Sequence, residues 1–308
     1  MKKTLENIAI EQGYRIKVIS AERLKELQEI IADFKSQEKL NDFQSWIVDK
    51  LYRYEPGQAH FNVKSIILIA VPHPFYAKVD FYRNGHKKTF LSLVRPDFDK
   101  AEGYIKGFAV ENGYSLVQAE NLPMKRLAAH CGLAEYGRNN ITYIDGLGSN
   151  FSYMAFFSDM EVEQDTWSEV HNAMLCSTCH LCIDVCPTDA ISKDRFLIDN
   201  ERCLSCINEV PGDFPDWIPS AAHHTLYDCL ICQRACPMNK KQLDKVVDSI
   251  SFSEEETSML LDGKPIDTFS EQLKEKVYSL GLDEWYQAIP RNLKVLFDFS
   301  DRIPESNK

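Results

Sequence analysis

The chain of 308 residues is 44% hydrophobic and 26% charged, enough to bury one large core or two modest ones. Its 46 acidic residues outnumber 35 Lys and Arg, and the formal charge of -11 repels a phosphate backbone unless basic residues gather on one face. No stretch reaches the roughly 18 apolar residues of a membrane span, and Met1-Lys2-Lys3-Thr4-Leu5-Glu6 leads into a polar helical segment, so a cytoplasmic protein without membrane contact is expected.

Residues 1 to about 60 are rich in helix formers, and Leu24, Leu27, Ile30, Ile31 and Phe34 recur at helical spacing. Residues 41–54 carry a second apolar period through Phe43, Trp46, Ile47 and Leu51, which stops at Pro56-Gly57. Ser65-Ile-Ile-Leu-Ile-Ala-Val-Pro72 is a short apolar run, as expected of a central strand buried on both faces. Residues 98–112 read as a helix ended by Gly113, residues 114–118 as a strand, and residues 124–130 as a helix ended near Gly132. Residues 141–144 and 151–157 look like strands paired with each other through Asp145-Gly-Leu-Gly148. After Met238 the chain is expected to be helical to its end, with a capping box at Ser253 and Glu256 and with Pro290 beginning or kinking the last helix. The order of elements is that of an α/β or α+β protein.

Nine of the ten cysteines lie between Cys176 and Cys236, and Cys131 alone stands apart as a small buried apolar residue. Reducing cytosol makes such density a metal signature rather than a disulfide one. Cys176-Ser-Thr-Cys179-His-Leu-Cys182-Ile-Asp-Val-Cys186-Pro187 is the C-x2-C-x2-C-x3-C-P run of bacterial ferredoxins, in which the fourth cysteine serves the neighbouring cluster. Cys229-Leu-Ile-Cys232-Gln-Arg-Ala-Cys236-Pro237 repeats the ending, with its leading cysteine displaced upstream to Cys203 or Cys206. Two 4Fe-4S clusters follow: one on Cys176, Cys179, Cys182 and Cys236, the other on Cys186, Cys229, Cys232 and either Cys203 or Cys206. Structural zinc could use the C-x2-C pairs, but it gives the two C-x3-C-P endings no purpose.

Upstream of this segment stands His130-Cys131-Gly-Leu-Ala-Glu-Tyr-Gly-Arg-Asn-Asn140. With the double-cluster run it resembles the epoxyqueuosine reductase family, over residues 40 to 240, and through it the catalytic module of reductive dehalogenases. The resemblance implies an α/β domain that cradles cobalamin over residues 1–170, a ferredoxin-like domain with two clusters over 171–240, and a helical extension over 241–308. It implies that Cys203 is the lone upstream ligand, since Cys206 falls where the family has Tyr. It also implies Glu120 as a proton donor in place of the family's Asp, and Tyr136, Arg138, Asn139 and Tyr143 as corrinoid contacts, Arg138 replacing a Lys.

The family's basic helical-repeat tail is not evident in the acidic final residues, and together with the charge balance this argues against tRNA. The expected function is therefore reduction of a small-molecule substrate, with electrons from an external donor such as ferredoxin or flavodoxin passing through the clusters to the corrinoid. Two other functions fit the same residues. One is an electron-transfer or reductive-activator protein without its own corrinoid. The other is an epoxyqueuosine reductase acting on tRNA, which needs a basic stripe drawn from Lys87, Lys88, Arg95, Lys125, Arg126 and Arg138.

Overall fold

The computed structural model describes residues 5–37, 40–57, 59–162 and 165–302. The polar start, residues 1–4, lies outside them. The elements run α1 (Leu5–Glu11), β1 (Arg15–Ser20), α2 (Arg23–Gln37), α3 (Asp42–Trp46), β2 (Ser65–Pro72), β3 (Tyr76–Arg83), β4 (His86–Ser92), α4 (Phe98–Asn112) and β5 (Leu116–Gln118). They continue with α5 (Met124–His130), β6 (Glu135–Tyr136), β7 (Thr142–Tyr143), β8 (Phe151–Ser158), α6 (Leu181–Asp184), α7 (Leu204–Glu209) and α8 (Ile231–Ala235). Last come β9 (Val246–Phe252), α9 (Glu254–Leu261), α10 (Glu271–Ser279) and α11 (Ile289–Arg302). Two compact units result, one from residues 1–73 and 96–179, the other from residues 74–95 and 180–308. The cysteine segment from His180 onward thus shares a unit with the tail.

In the first unit a sheet of order β1-β2-β8-β5 is antiparallel throughout. Because strand side chains alternate, β2 serves two cores. Ile66, Leu68 and Ala70 pack with Leu24, Leu27 and Ile31 of α2 and Leu127 of α5, while Ile67, Ile69 and Val71 pack with Leu5 and Ala9 of α1 and Ala101 and Ile105 of α4. Burying each of these large side chains contributes about 1.5–3 kcal/mol. Helix α4 starts on the Asp97 side chain and stops at Gly113, whose φ of 74° needs a residue without a Cβ.

Three expectations are corrected. Strand β1 interrupts the helical start, because Arg15-Ile-Lys-Val-Ile-Ser20 alternates with strand period and gains a partner in β2. Residues 141–144 and 151–157 do not pair with each other: β7 pairs with β6, and β8 pairs with β2 and β5. The tail is not wholly helical, since β9 runs parallel to β3.

In the second unit β3 and β4 form a hairpin turned by Asn84 and Gly85, at φ 52° and 74°, and the sheet order is β4-β3-β9. Its core is aromatic: Phe81 stacks on Phe252 at 4.9 Å, and Phe297 of α11 meets Phe90 edge-on at 5.3 Å. The Ser253 and Glu256 capping box starts α9, and Pro290 lies in the first turn of α11. No helix among the described residues is long and apolar enough to cross a membrane.

Candidate cluster and cofactor sites

Cys182 and Cys232 sit on α6 and α8, two single-turn helices that pack on each other. Each helix is followed by its Cys-Pro pair, Cys186-Pro187 and Cys236-Pro237; a proline cannot continue the hydrogen-bond ladder and turns the chain away. None of the ten cysteines is in a disulfide. The Cys186 sulfur accepts the Ala190 N–H at 3.4 Å and lies 3.7 Å from the Thr188 hydroxyl. Cys203 occupies the N-cap position of α7, and its thiol is held below the ordinary value first by the neighbouring Cys206 thiol and then by the backbone N–H groups at the start of that helix. Donors aimed at sulfur favour a thiolate, the form that binds iron.

Cys229 lies between two non-glycine residues of left-handed backbone, Asp228 at φ 60° and Leu230 at 61°. The loop is held by the Asn208 amide and the Thr225 hydroxyl, which donate to the Asp228 carbonyl at 2.6 and 3.0 Å. The Asp228 carboxylate accepts the Cys229 N–H at 2.5 Å. Burial pushes the Cys229 thiol up to about 12, and Asp228, Cys203 and Cys186 add to that rise. Cys186 and Cys203 thus stand near enough to Cys229 to oppose a charge on its sulfur. The Cys206 thiol bonds the Cys203 sulfur and holds the Cys203 thiol below its ordinary value. No three His, Cys, Asp or Glu side chains among the described residues converge as they would on one metal ion. A cubane keeps its thiolates farther apart than that.

Cys176 is buried in the turn Met174–Ser177, and its carbonyl accepts Nη2 of Arg138 at 2.5 Å. Cys179 and His180 are half-buried. Arg138 thereby ties the glycine stretch to the first cysteine of the run. In the small β6–β7 hairpin of that stretch, a Cβ on Gly137 would stand 2.6 Å from Asn139 Oδ1 and 2.6 Å from the Tyr143 ring. Only glycine fits there. Asn139 Nδ2 donates to the Tyr143 hydroxyl at 3.0 Å. Tyr136 is buried, its phenol raised chiefly by desolvation, with the Arg126 guanidinium 6.0 Å from the ring. The four residues expected to touch a corrinoid thus make contacts within the protein.

Glu120 is exposed on the loop after β5. Its neighbours pin that loop: the Ala119 N–H donates to Ala155 at 2.9 Å, and the carbonyl of Asn121, which has φ 56°, accepts Arg53 N–H at 3.0 Å. Cys131 is 1% exposed and its thiol is pushed up to about 12 by burial, as suits an apolar role. Of the cations considered for a basic stripe, Lys87 pairs with Asp80 at 3.1 Å, Arg95 with Asp283 at 2.7 Å, and Arg126 lies over Phe34 at 4.4 Å. Lys125 is exposed.

Two side chains of the first unit were not signalled by the sequence. Asn150 is 2% exposed, and neither atom of its amide has a hydrogen-bond partner. His130 donates from Nδ1 to the Ser168 carbonyl at 2.7 Å and stacks on Trp167 at 4.7 Å, which leaves a buried Nε2 with no partner. Burial holds this imidazole below its usual pKa. Cobalamin carries a fringe of amide side chains, and an Asn with unused donor and acceptor has the chemistry to pair with one. No sequence pattern marks Asn150, because its lack of partners is a product of folding.

Residues 175–239 match the model of a 4Fe-4S double cluster binding domain. An epoxyqueuosine reductase of Atelocyanobacterium thalassa is 33% identical over 250 residues, which are 77% of this chain and 79% of that protein. An epoxyqueuosine reductase of Cyclobacterium marinum is 26% identical over 203 residues, 66% of this chain; the match spans only 61% of that relative's length. Among solved structures, an epoxyqueuosine reductase with a tRNA-Tyr epoxyqueuosine-modified stem loop superposes with a TM-score of 0.64 at 19% identity, covering 94% of this chain and 78% of that one. That likeness shows a shared fold.

Proposed function

Because this chain belongs to the epoxyqueuosine reductase family, we propose that it is an iron-sulfur oxidoreductase that reduces the epoxide of epoxyqueuosine in tRNA. The observation that supports the reading is the match of residues 175–239 to a 4Fe-4S double cluster binding domain, in a chain with two C-x3-C-P endings and 33% identity to an epoxyqueuosine reductase. When bound, 4Fe-4S clusters supply electrons singly and a corrinoid supplies low-valent cobalt, whereas reduction of an epoxide takes up two electrons and two protons.

Cys176, Cys179, Cys182 and Cys236 would hold one cluster, and Cys186, Cys203, Cys229 and Cys232 the other. Glu120 donates a proton to the opening epoxide oxygen; its exposed position lets an incoming substrate reach it. Asn150, whose buried amide has no partner, would pair with an amide of the corrinoid, and Tyr136, Arg138, Asn139 and Tyr143 would line its site. Electrons come from an external ferredoxin or flavodoxin.

The tRNA substrate replaces the small molecule expected from the charge balance. A total of -11 is a sum over the whole surface and does not locate the cations that meet a phosphate, and the relatives of this chain are named for epoxyqueuosine.

The test is anaerobic reconstitution, titration with cobalamin followed by its visible spectrum, and turnover of an epoxyqueuosine-modified tRNA stem loop. About eight irons, saturable corrinoid binding and product formation are expected. Glu120→Gln should lose turnover and keep its iron. Eight irons with no corrinoid bound would replace this reading with an electron carrier.

A further inference from the structure

The helix α11, far along the chain from the cysteines, reaches the cysteine loops. Asn292 in α11 is 1% exposed. Its Nδ2 donates to the Asn208 carbonyl at 2.7 Å and to the Leu226 carbonyl at 2.8 Å. Its Oδ1 accepts Nε and Nη2 of Arg291 at 3.0 and 2.9 Å. The same guanidinium donates to the carbonyls of Gly212 at 2.7 Å and Ile207 at 2.8 Å, and lies 3.9 Å over the Phe214 ring.

Three of these acceptors, Ile207, Asn208 and Leu226, belong to the two segments that present Cys203 and Cys229. Ile207 and Asn208 lie in α7, the helix that Cys203 caps. Leu226 leads into the left-handed pair Asp228 and Leu230 on either side of Cys229. The Asn208 amide closes the circuit by donating to the Asp228 carbonyl. Left-handed backbone at non-glycine residues persists only where its surroundings over-determine it. Here the surroundings include a buried amide from the far end of the sequence.

We propose that Arg291 and Asn292 are positioning residues for the second cluster: by bonding both loops at once, they fix the spacing of Cys203 and Cys229. The proposal rests on the ligand set given above. Partners that orient first ligands govern how firmly a site holds its metal.

The experiment uses the full chain, reconstituted anaerobically, and follows iron release to a chelator together with the EPR signal of the reduced clusters. Loss of a signal in Cys229→Ser identifies the second cluster. In Asn292→Asp, which keeps the shape and pairs with Arg291 but cannot donate to two carbonyls, that cluster should release its iron at least about tenfold faster with an altered signal, the other cluster being unchanged. Arg291→Lys should give an intermediate rate. Wild-type release and signal in both variants, or equal acceleration at both clusters, would overturn the proposal. A wild-type chain that binds about four irons would instead defeat the ligand set, and the clamp with it, before any variant is compared.

Discussion

In the glycine stretch, side chains close in sequence hold one another: Gly137 leaves room for Asn139 and Tyr143, which bond each other. Around Cys229 the holding is remote, with strained backbone pinned by Asn208 and, through its helix, by Asn292. A local device tolerates change elsewhere in the chain and fails by overcrowding. A remote one fails when any of its distant members is cut.

The largest effect should come from the thiols. Cys203→Ser is expected to lose the second cluster, about half the iron, while Cys206→Ser keeps both clusters, with a shifted EPR signal because a donor to the Cys203 sulfur has changed. Iron analysis decides this, and the reverse pattern would exchange the two assignments.

Next comes Gly137→Ala, whose new methyl would overlap Asn139 and the Tyr143 ring. Overpacking of this kind costs about 1–3 kcal/mol. The thermal midpoint of the first unit should fall, with the iron of the second cluster retained. A midpoint equal to wild type would show that the hairpin yields freely and that the local device is soft.

The smallest effect concerns pH. His223 is 6% exposed, and its imidazole is pushed down to about 4, first by burial and then by the Arg291 charge. The unfolded chain takes up this proton near pH 6.5. Between about 6.5 and 4, then, only the unfolded state binds it, so folding stability should decline as pH falls through that window and level off for this group below it. Denaturant melts of His223→Gln and wild type should differ in pH slope there and run parallel above pH 7.

What could be read without coordinates was whatever a short window encodes. Helix α4, with its Asp97 start and Gly113 stop, and the Ser253 and Glu256 box are local hydrogen-bond devices, so their residues announce them. The buried run that became β2 and the two C-x3-C-P endings are equally local. Asn84-Gly85, between two alternating runs, is a hairpin signal of the same local kind.

Pairing was another matter. The direction and partner of β8 depend on which strand lies beside it, and β9 joins β3 from the other end of the chain, so neither is written in its own residues. Nor do the residues around Arg138 and Asn139 announce their partners, the Cys176 carbonyl and the Tyr143 hydroxyl.

The sequence by itself determined the metal chemistry, because a cluster's demand for thiolates at fixed short spacings is met within a few residues of chain. What folding added is how a strained loop around Cys229 is sustained and that Asn150 is buried without a partner. Those are relations between segments far apart in the chain, set by packing that no single segment specifies.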